Sequence, residues 1–115
     1  HGMSPLVSLA AKEGLLAPAA VAQLECFAAA VTFAKTEGIV VAPETSHAIA
    51  QVIREANRAK EEGKEKVILF GLSGHGFLDL QGYSDYFSGM LQDHELSRTE
   101  IDEAIAGLKD APRLP

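Results

Sequence analysis

The chain has a single cysteine, Cys26, among 115 residues, so no disulfide framework exists and a reducing compartment, the cytoplasm, is the expected setting. It has no apolar run near the ~20 residues that span a bilayer, and no secretory leader is read at its start. Cations are scarce: 10 Lys and Arg face 16 Asp and Glu, a net charge of −6. That balance argues against nucleic acid or an anionic membrane as partner. Internal repeats, low-complexity tracts and linkers are absent, so residues 1–115 read as one domain. Gly71, Gly74 and Gly76 are out of register for G-x-G-x-x-G, and no Gly-Lys-Ser/Thr follows them. His47, His75, His94 and Cys26 lack metal-ligand spacing; Cys26 reads as a small buried residue and His94 as a solvated one.

What the chain does have is a core's worth of apolar residues, 47% of the total, and one stretch that organises them. Val67-Ile68-Leu69-Phe70 is an uninterrupted apolar run that breaks into Gly71-Leu72-Ser73-Gly74-His75-Gly76. Such a run, bounded by glycines, predicts a strand buried on both faces. Ligands of open α/β sheets sit just past the carboxyl ends of strands, which makes Ser73 and His75 the best-placed candidates for chemistry.

In chain order, Ser4 and Pro5 predict the cap and first residue of a helix over 6–13, stopped by Gly14. Pro18 predicts the start of a second helix, with Val21, Leu24, Ala28, Val31 and Ala34 on one face and Gly38 at its end. Residues 39–41 read as a short strand. Pro43 opens a third helix with Glu44 in its first turn, an apolar face of Ala48, Ile49, Val52, Ile53 and Ala56, and Gly63 as its stop. Strand 39–41, helix 43–62 and strand 66–70 predict a right-handed βαβ unit with parallel strands. A short amphipathic helix follows within 79–91. Ser97 and Glu100 form a capping box for a last helix over 98–109, and Leu114 and Pro115 are expected to fray.

Gly71-Leu72-Ser73-Gly74-His75 approaches the G-x-S-x-G nucleophile elbow, but His75 stands where the second glycine belongs. A hydrolase of that kind also needs a larger sheet. Glu44-Thr45-Ser46-His47 at a helix start reads either as first-turn capping or as part of a site, with Glu44 and Ser73 ending adjacent strands and facing one crevice.

Two motifs together carry a family resemblance. Glu37-Gly38-Ile39-Val40-Val41-Ala42-Pro43-Glu44-Thr45-Ser46-His47-Ala48 resembles the E-G-I-x-P-A-x-E-[ST]-[ST]-H-A segment of tryptophan synthase β chains, and 66–76 resembles their later strand and L-S-G-x-G loop. The Ser73-Gly74-His75-Gly76 form, with residues 1–8 and Gln23-Leu24-Glu25-Cys26-Phe27 upstream, resembles the second, TrpB2-type branch. The resemblance implies an α/β enzyme of fold type II that uses pyridoxal phosphate and replaces the β-hydroxyl of L-serine with indole to give L-tryptophan. It implies that this chain, which begins His1-Gly2-Met3, is the carboxyl-terminal portion, inactive alone, with the Schiff-base lysine and the phosphate loop upstream; a tag remnant is the other reading of that start.

By the same resemblance Ser73 bonds the pyridine nitrogen, and Gly74, Gly76, His75 and Glu44 line the cofactor site. A hydroxyl there makes physical sense, because a neutral partner does not hold the ring nitrogen protonated as a carboxylate would. Val41 stands in place of the family's usual proline, and His75, Phe77 and Leu78 differ from the main branch, which leaves coupling to an α subunit open. A homodimer is expected. The competing reading is a small stand-alone α/β module that binds a ligand at 71–76.

Overall fold

A computed structural model describes residues 4–106. Among them are helices α1 (Pro5–Lys12), α2 (Gln23–Glu37), α3 (Pro43–Glu61), α4 (Leu80–Phe87) and α5 (Arg98–Ala106), with a 3-10 turn, Gly76–Leu78, ahead of α4. The expected end of the last helix and the frayed terminus lie outside the described residues.

The starts of α1, α3 and α5 form where local signals in the sequence put them. Pro5 and Pro43 sit at first helical positions, where a missing N–H costs nothing. The Ser97–Glu100 capping box is formed, Ser97 N–H donating to Glu100 Oε2 at 2.7 Å and Glu100 N–H to Ser97 Oγ at 3.3 Å. Ser4 occupies the cap position of α1, yet its side chain makes no capping bond.

The start of α2 is a correction. It begins at Gln23 rather than at Pro18 because Leu24 N–H donates to the Asp93 carboxylate at 2.8 Å. The cap is tertiary, 69 residues away, and Pro18 falls in an exposed approach segment. The buried faces of α2 and α3 are also rotated from those expected. Helix α2 buries Cys26, Phe27, Ala29 and Ala30 and leaves Ala28 exposed; α3 buries Thr45, Ser46, Ile49, Ala50 and Ala59 and leaves Ile53 and Ala56 exposed. Small residues let these two helices approach closely, so the contact selects Ala29, Ala30 and Ala50 over larger apolar neighbours. Val41, Phe27, Ile49 and Tyr83 complete the core.

The expected parallel-strand core is the larger correction. Residues 39–41 and 66–70 lie outside the helices, but among the described residues no strand or backbone ladder forms. Extended chain becomes sheet only when its N–H and C=O groups find a partner edge, and the Gly76 N–H to Val40 O bond, 2.9 Å, is a single crossing. Nor is 66–70 buried on both faces. Ile68 and Phe70 are half-buried, Phe70 edge-on to Phe33 of α2 at 6.1 Å, while Val67 and Leu69 are 102% and 96% exposed. The radius of gyration, 17.2 Å, exceeds the ~13 Å usual for a compact domain of about this size.

Candidate functional site

The glycine loop is fastened to the start of α3. Gly74 takes a left-handed φ of 67°, which lets the chain reverse without a side-chain penalty. Gly76 passes so close to residues 40 and 41 that a Cβ would lie 2.4 Å from Val41 O and 2.8 Å from Val40 Cγ1. The loop's other attachment is Thr45, on the first turn of α3. Its buried hydroxyl donates to Ser73 O at 2.5 Å, lies 3.4 Å from Ser73 N–H as acceptor, and is 3.3 Å from Ser73 Oγ. Below the junction, Tyr83 of α4 donates its hydroxyl to Val41 O at 2.6 Å and packs edge-on to Phe27. Burial raises the Tyr83 phenol above its ordinary range, with a smaller push from Asp79, so it stays a donor.

Ser73, Gly74 and Gly76 are therefore brought together, with Ser73 exposed. His75 belongs to the same loop but points its chemistry elsewhere: Nδ1 accepts from Phe77 N–H at 3.3 Å, and its ring stands 5.2 Å from that of Phe77. Glu44 is exposed and lines a cleft of about 560 Å³ with Cys26, Phe27, His47 and His94, in which Ser73 takes no part. Cys26 is buried there, and desolvation lifts its thiol above the ordinary range despite an opposing hydrogen bond from Ser46. Among the described residues no three His, Cys, Asp or Glu side chains gather to hold a metal.

Two residues of this junction were not assigned a role from the sequence. Thr45 sits inside the flagged Glu44–His47 segment, where the interest fell on Glu44, and Tyr83 was read only as part of an amphipathic helix. Both act through contacts 28 and 42 residues away in the chain, which no local pattern reports. Ser73 Oγ has the Thr45 hydroxyl as its hydrogen-bonding neighbour, with no histidine or carboxylate among its partners in the described residues. Among the described residues no base of the kind an activated serine needs faces Ser73 Oγ. An exposed hydroxyl followed by Gly74 and braced by Thr45 is free to donate one hydrogen bond outward.

The arrangement defines a glycine loop that presents an exposed hydroxyl at the foot of a helix. No family model matches the sequence. Among curated proteins, the chain is 57% identical over 95 residues to the tryptophan synthase beta chain of Thermococcus gammatolerans, covering 83% of this chain and 22% of that protein. It is 50% identical over 115 residues to the tryptophan synthase beta chain of Pyrococcus horikoshii, 100% of this chain and 24% of that protein. It is 56% identical over 92 residues to the tryptophan synthase beta chain 2 of Methanosarcina mazei, 80% of this chain and 21% of that protein. The chain is homologous to tryptophan synthase beta chains and spans under a quarter of the length of these relatives, 21–24%. No helix among the described residues is long and apolar enough to cross a membrane.

Proposed function

We propose that residues 1–115 are one domain, the carboxyl-terminal portion of a cytoplasmic, homodimeric tryptophan synthase beta-type enzyme. With pyridoxal phosphate the whole protein replaces the β-hydroxyl of L-serine with indole to give L-tryptophan. The observation that carries this reading is the 50% identity to the Pyrococcus horikoshii chain over all 115 residues, which takes in both the start of α3 and the glycine loop.

When bound, the cofactor supplies the electron sink for bond changes at the substrate's α- and β-carbons. This chain supplies the ring's hydrogen-bond partner. The Ser73 hydroxyl would donate to the ring nitrogen and, being neutral, would not hold a proton on it, which would moderate the sink. Gly74 and Gly76 would keep side chains out of the ring's way; the resemblance adds His75 and Glu44 to the cofactor-side set, which in this chain would need His75 to leave Phe77 N–H and Glu44 to turn from its separate cleft. In the whole protein, 39–41 and 66–70 become neighbouring strands of a parallel sheet, with Val67 and Leu69 covered by elements outside this chain. The Schiff-base lysine and the phosphate loop belong to those other elements, so the isolated chain is inactive.

Borohydride trapping tests the proposal. Pyridoxal phosphate is added to the isolated chain and to the full-length protein, reduced in place, and the adducts are mapped by mass spectrometry. One stoichiometric lysine adduct is expected in the full-length protein, outside residues 1–115, and none in the isolated chain. A stoichiometric adduct on a lysine within this chain overturns it.

A further inference from the structure

We infer that Thr45 is the positioning residue for Ser73: its hydroxyl fixes the loop backbone and leaves the Ser73 hydroxyl hydrogen as the one available to a ring acceptor. The inference rests on the reading of Ser73 as ring partner and names the residue on which that role depends.

Two adjacent hydroxyls on α3 are buried, Thr45 at 4% exposure and Ser46 at 0%. They are used differently. The Ser46 hydroxyl bonds locally to Pro43 O, the ordinary habit of a hydroxyl near a helix start. The Thr45 hydroxyl makes no bond within its own helix, whose first turn is closed by Thr45 N–H donating to Ala42 O at 3.0 Å. All three of its hydroxyl contacts go to one residue, the carbonyl, amide and side chain of Ser73.

The donor count then sets the direction of the hydrogen at Ser73. A threonine hydroxyl has one hydrogen and two lone pairs. The hydrogen is committed to Ser73 O, so toward Ser73 N–H and Ser73 Oγ the Thr45 oxygen can only accept. Ser73 Oγ–H is thus the sole hydrogen between the two hydroxyls. It rests on Thr45 when nothing faces the loop and turns outward when an acceptor does, while the Thr45–Ser73 O bond keeps the backbone in place. The residue that follows, Gly74, has a left-handed φ of 67°, so the Ser73 carbonyl is the point at which an anchor holds the turn.

Thr45→Val keeps the shape and removes the hydroxyl; Thr45→Ser keeps the hydroxyl; Ser73→Ala removes the ring partner. Each is made in the full-length protein and checked by circular dichroism. Should Thr45→Val lose its fold, Thr45→Ala, which also lacks the hydroxyl, takes its place. Two readouts follow. The first is the nitrogen-15 shift of ring-labelled pyridoxal phosphate. The second is amide hydrogen exchange over 72–76, read without cofactor.

Thr45→Val should move the ring shift toward that of Ser73→Ala and speed loop exchange about tenfold, the equivalent of roughly one hydrogen bond. Thr45→Ser should leave both near wild type. If Ser73→Ala moves the ring signal and Thr45→Val does not, the inference about Thr45 fails while Ser73 stands. If Ser73→Ala leaves the ring signal unmoved, the reading of Ser73 fails and the inference fails with it. Unchanged loop exchange in Thr45→Val overturns the anchoring role on its own.

Discussion

Residues 40–41 and 67–69 are equally apolar, and the molecule treats them in opposite ways. Val41 is 0% exposed, enclosed by α2, α3 and Tyr83, while Val67 and Leu69 stand almost wholly in solvent. The difference is not in the side chains but in what surrounds them. Val41 meets a helix pair built from alanines and a tyrosine that satisfies its carbonyl; the outer face of 67–69 meets nothing among the described residues. An apolar run specifies that burial is wanted, and the partner decides whether it is obtained. The firm part of the molecule is therefore the junction that holds the glycine loop, and the run beside it leaves Val67 and Leu69 in solvent.

The largest effect is expected inside that junction. Gly76→Ala forces a Cβ into backbone at Val41, 2.4 Å from its oxygen, and should cost about 3 kcal/mol, the upper end for overpacking. Gly71, five residues earlier in the same loop, has nothing within 4 Å of where a Cβ would stand, and Gly71→Ala should change stability by less than about 0.5 kcal/mol. Urea denaturation of the two variants measures the contrast, and equal costs would erase it.

A smaller contrast separates Tyr83 from Val67. Tyr83→Phe leaves the buried Val41 carbonyl without its donor and should cost about 1–2 kcal/mol in the same denaturation series. Val67→Lys on the exposed face should stay within about 0.5 kcal/mol but should weaken self-association of the isolated chain, because exposed apolar faces beside an unpaired edge draw chains together. Light scattering on a dilution series reads this: wild type is expected above monomer mass and the lysine variant nearer to it. A wild-type monomer at tens of micromolar would show that the exposed face needs no cover.

What the sequence disclosed follows the same division. Pro43 and the Ser97–Glu100 box are local signals, and the helices they announce are present. Position 24 carries no such signal, because its cap is Asp93, so the start of α2 was misplaced. Residues 39–41 and 66–70 were read as paired strands because their composition says extended and buried; pairing depends on an edge that composition does not describe. The turn of the glycine loop was legible from its glycines after an apolar run. Thr45 and Tyr83 were not, since each matters through one long-range hydrogen bond.

The smallest expected effect lies at α5. The Glu100 carboxyl is held below its ordinary range, chiefly by the Ser97 hydroxyl and then by Ser97 N–H, with His94 adding least. A lowered folded-state pKa means stabilisation that is present above the unfolded value and lost as pH falls through the folded one. Helicity of α5 should therefore hold through pH ~4.3, the usual glutamate value, and decline below it. Ser97→Ala should move that decline upward in pH, as read by NMR shifts of 98–106 during an acid titration; an unmoved midpoint would detach the box from the titration.

The central claim is that the Ser73 hydroxyl partners the pyridine nitrogen, and the tryptophan-forming rate and cofactor spectrum of the full-length protein test it. Ser73→Ala should lose about 1 kcal/mol, roughly fivefold in rate. Ser73→Asp should be slower still, with an altered spectrum, because a carboxylate would hold the ring nitrogen protonated. Wild-type rates and an unchanged spectrum in both variants would contradict the account.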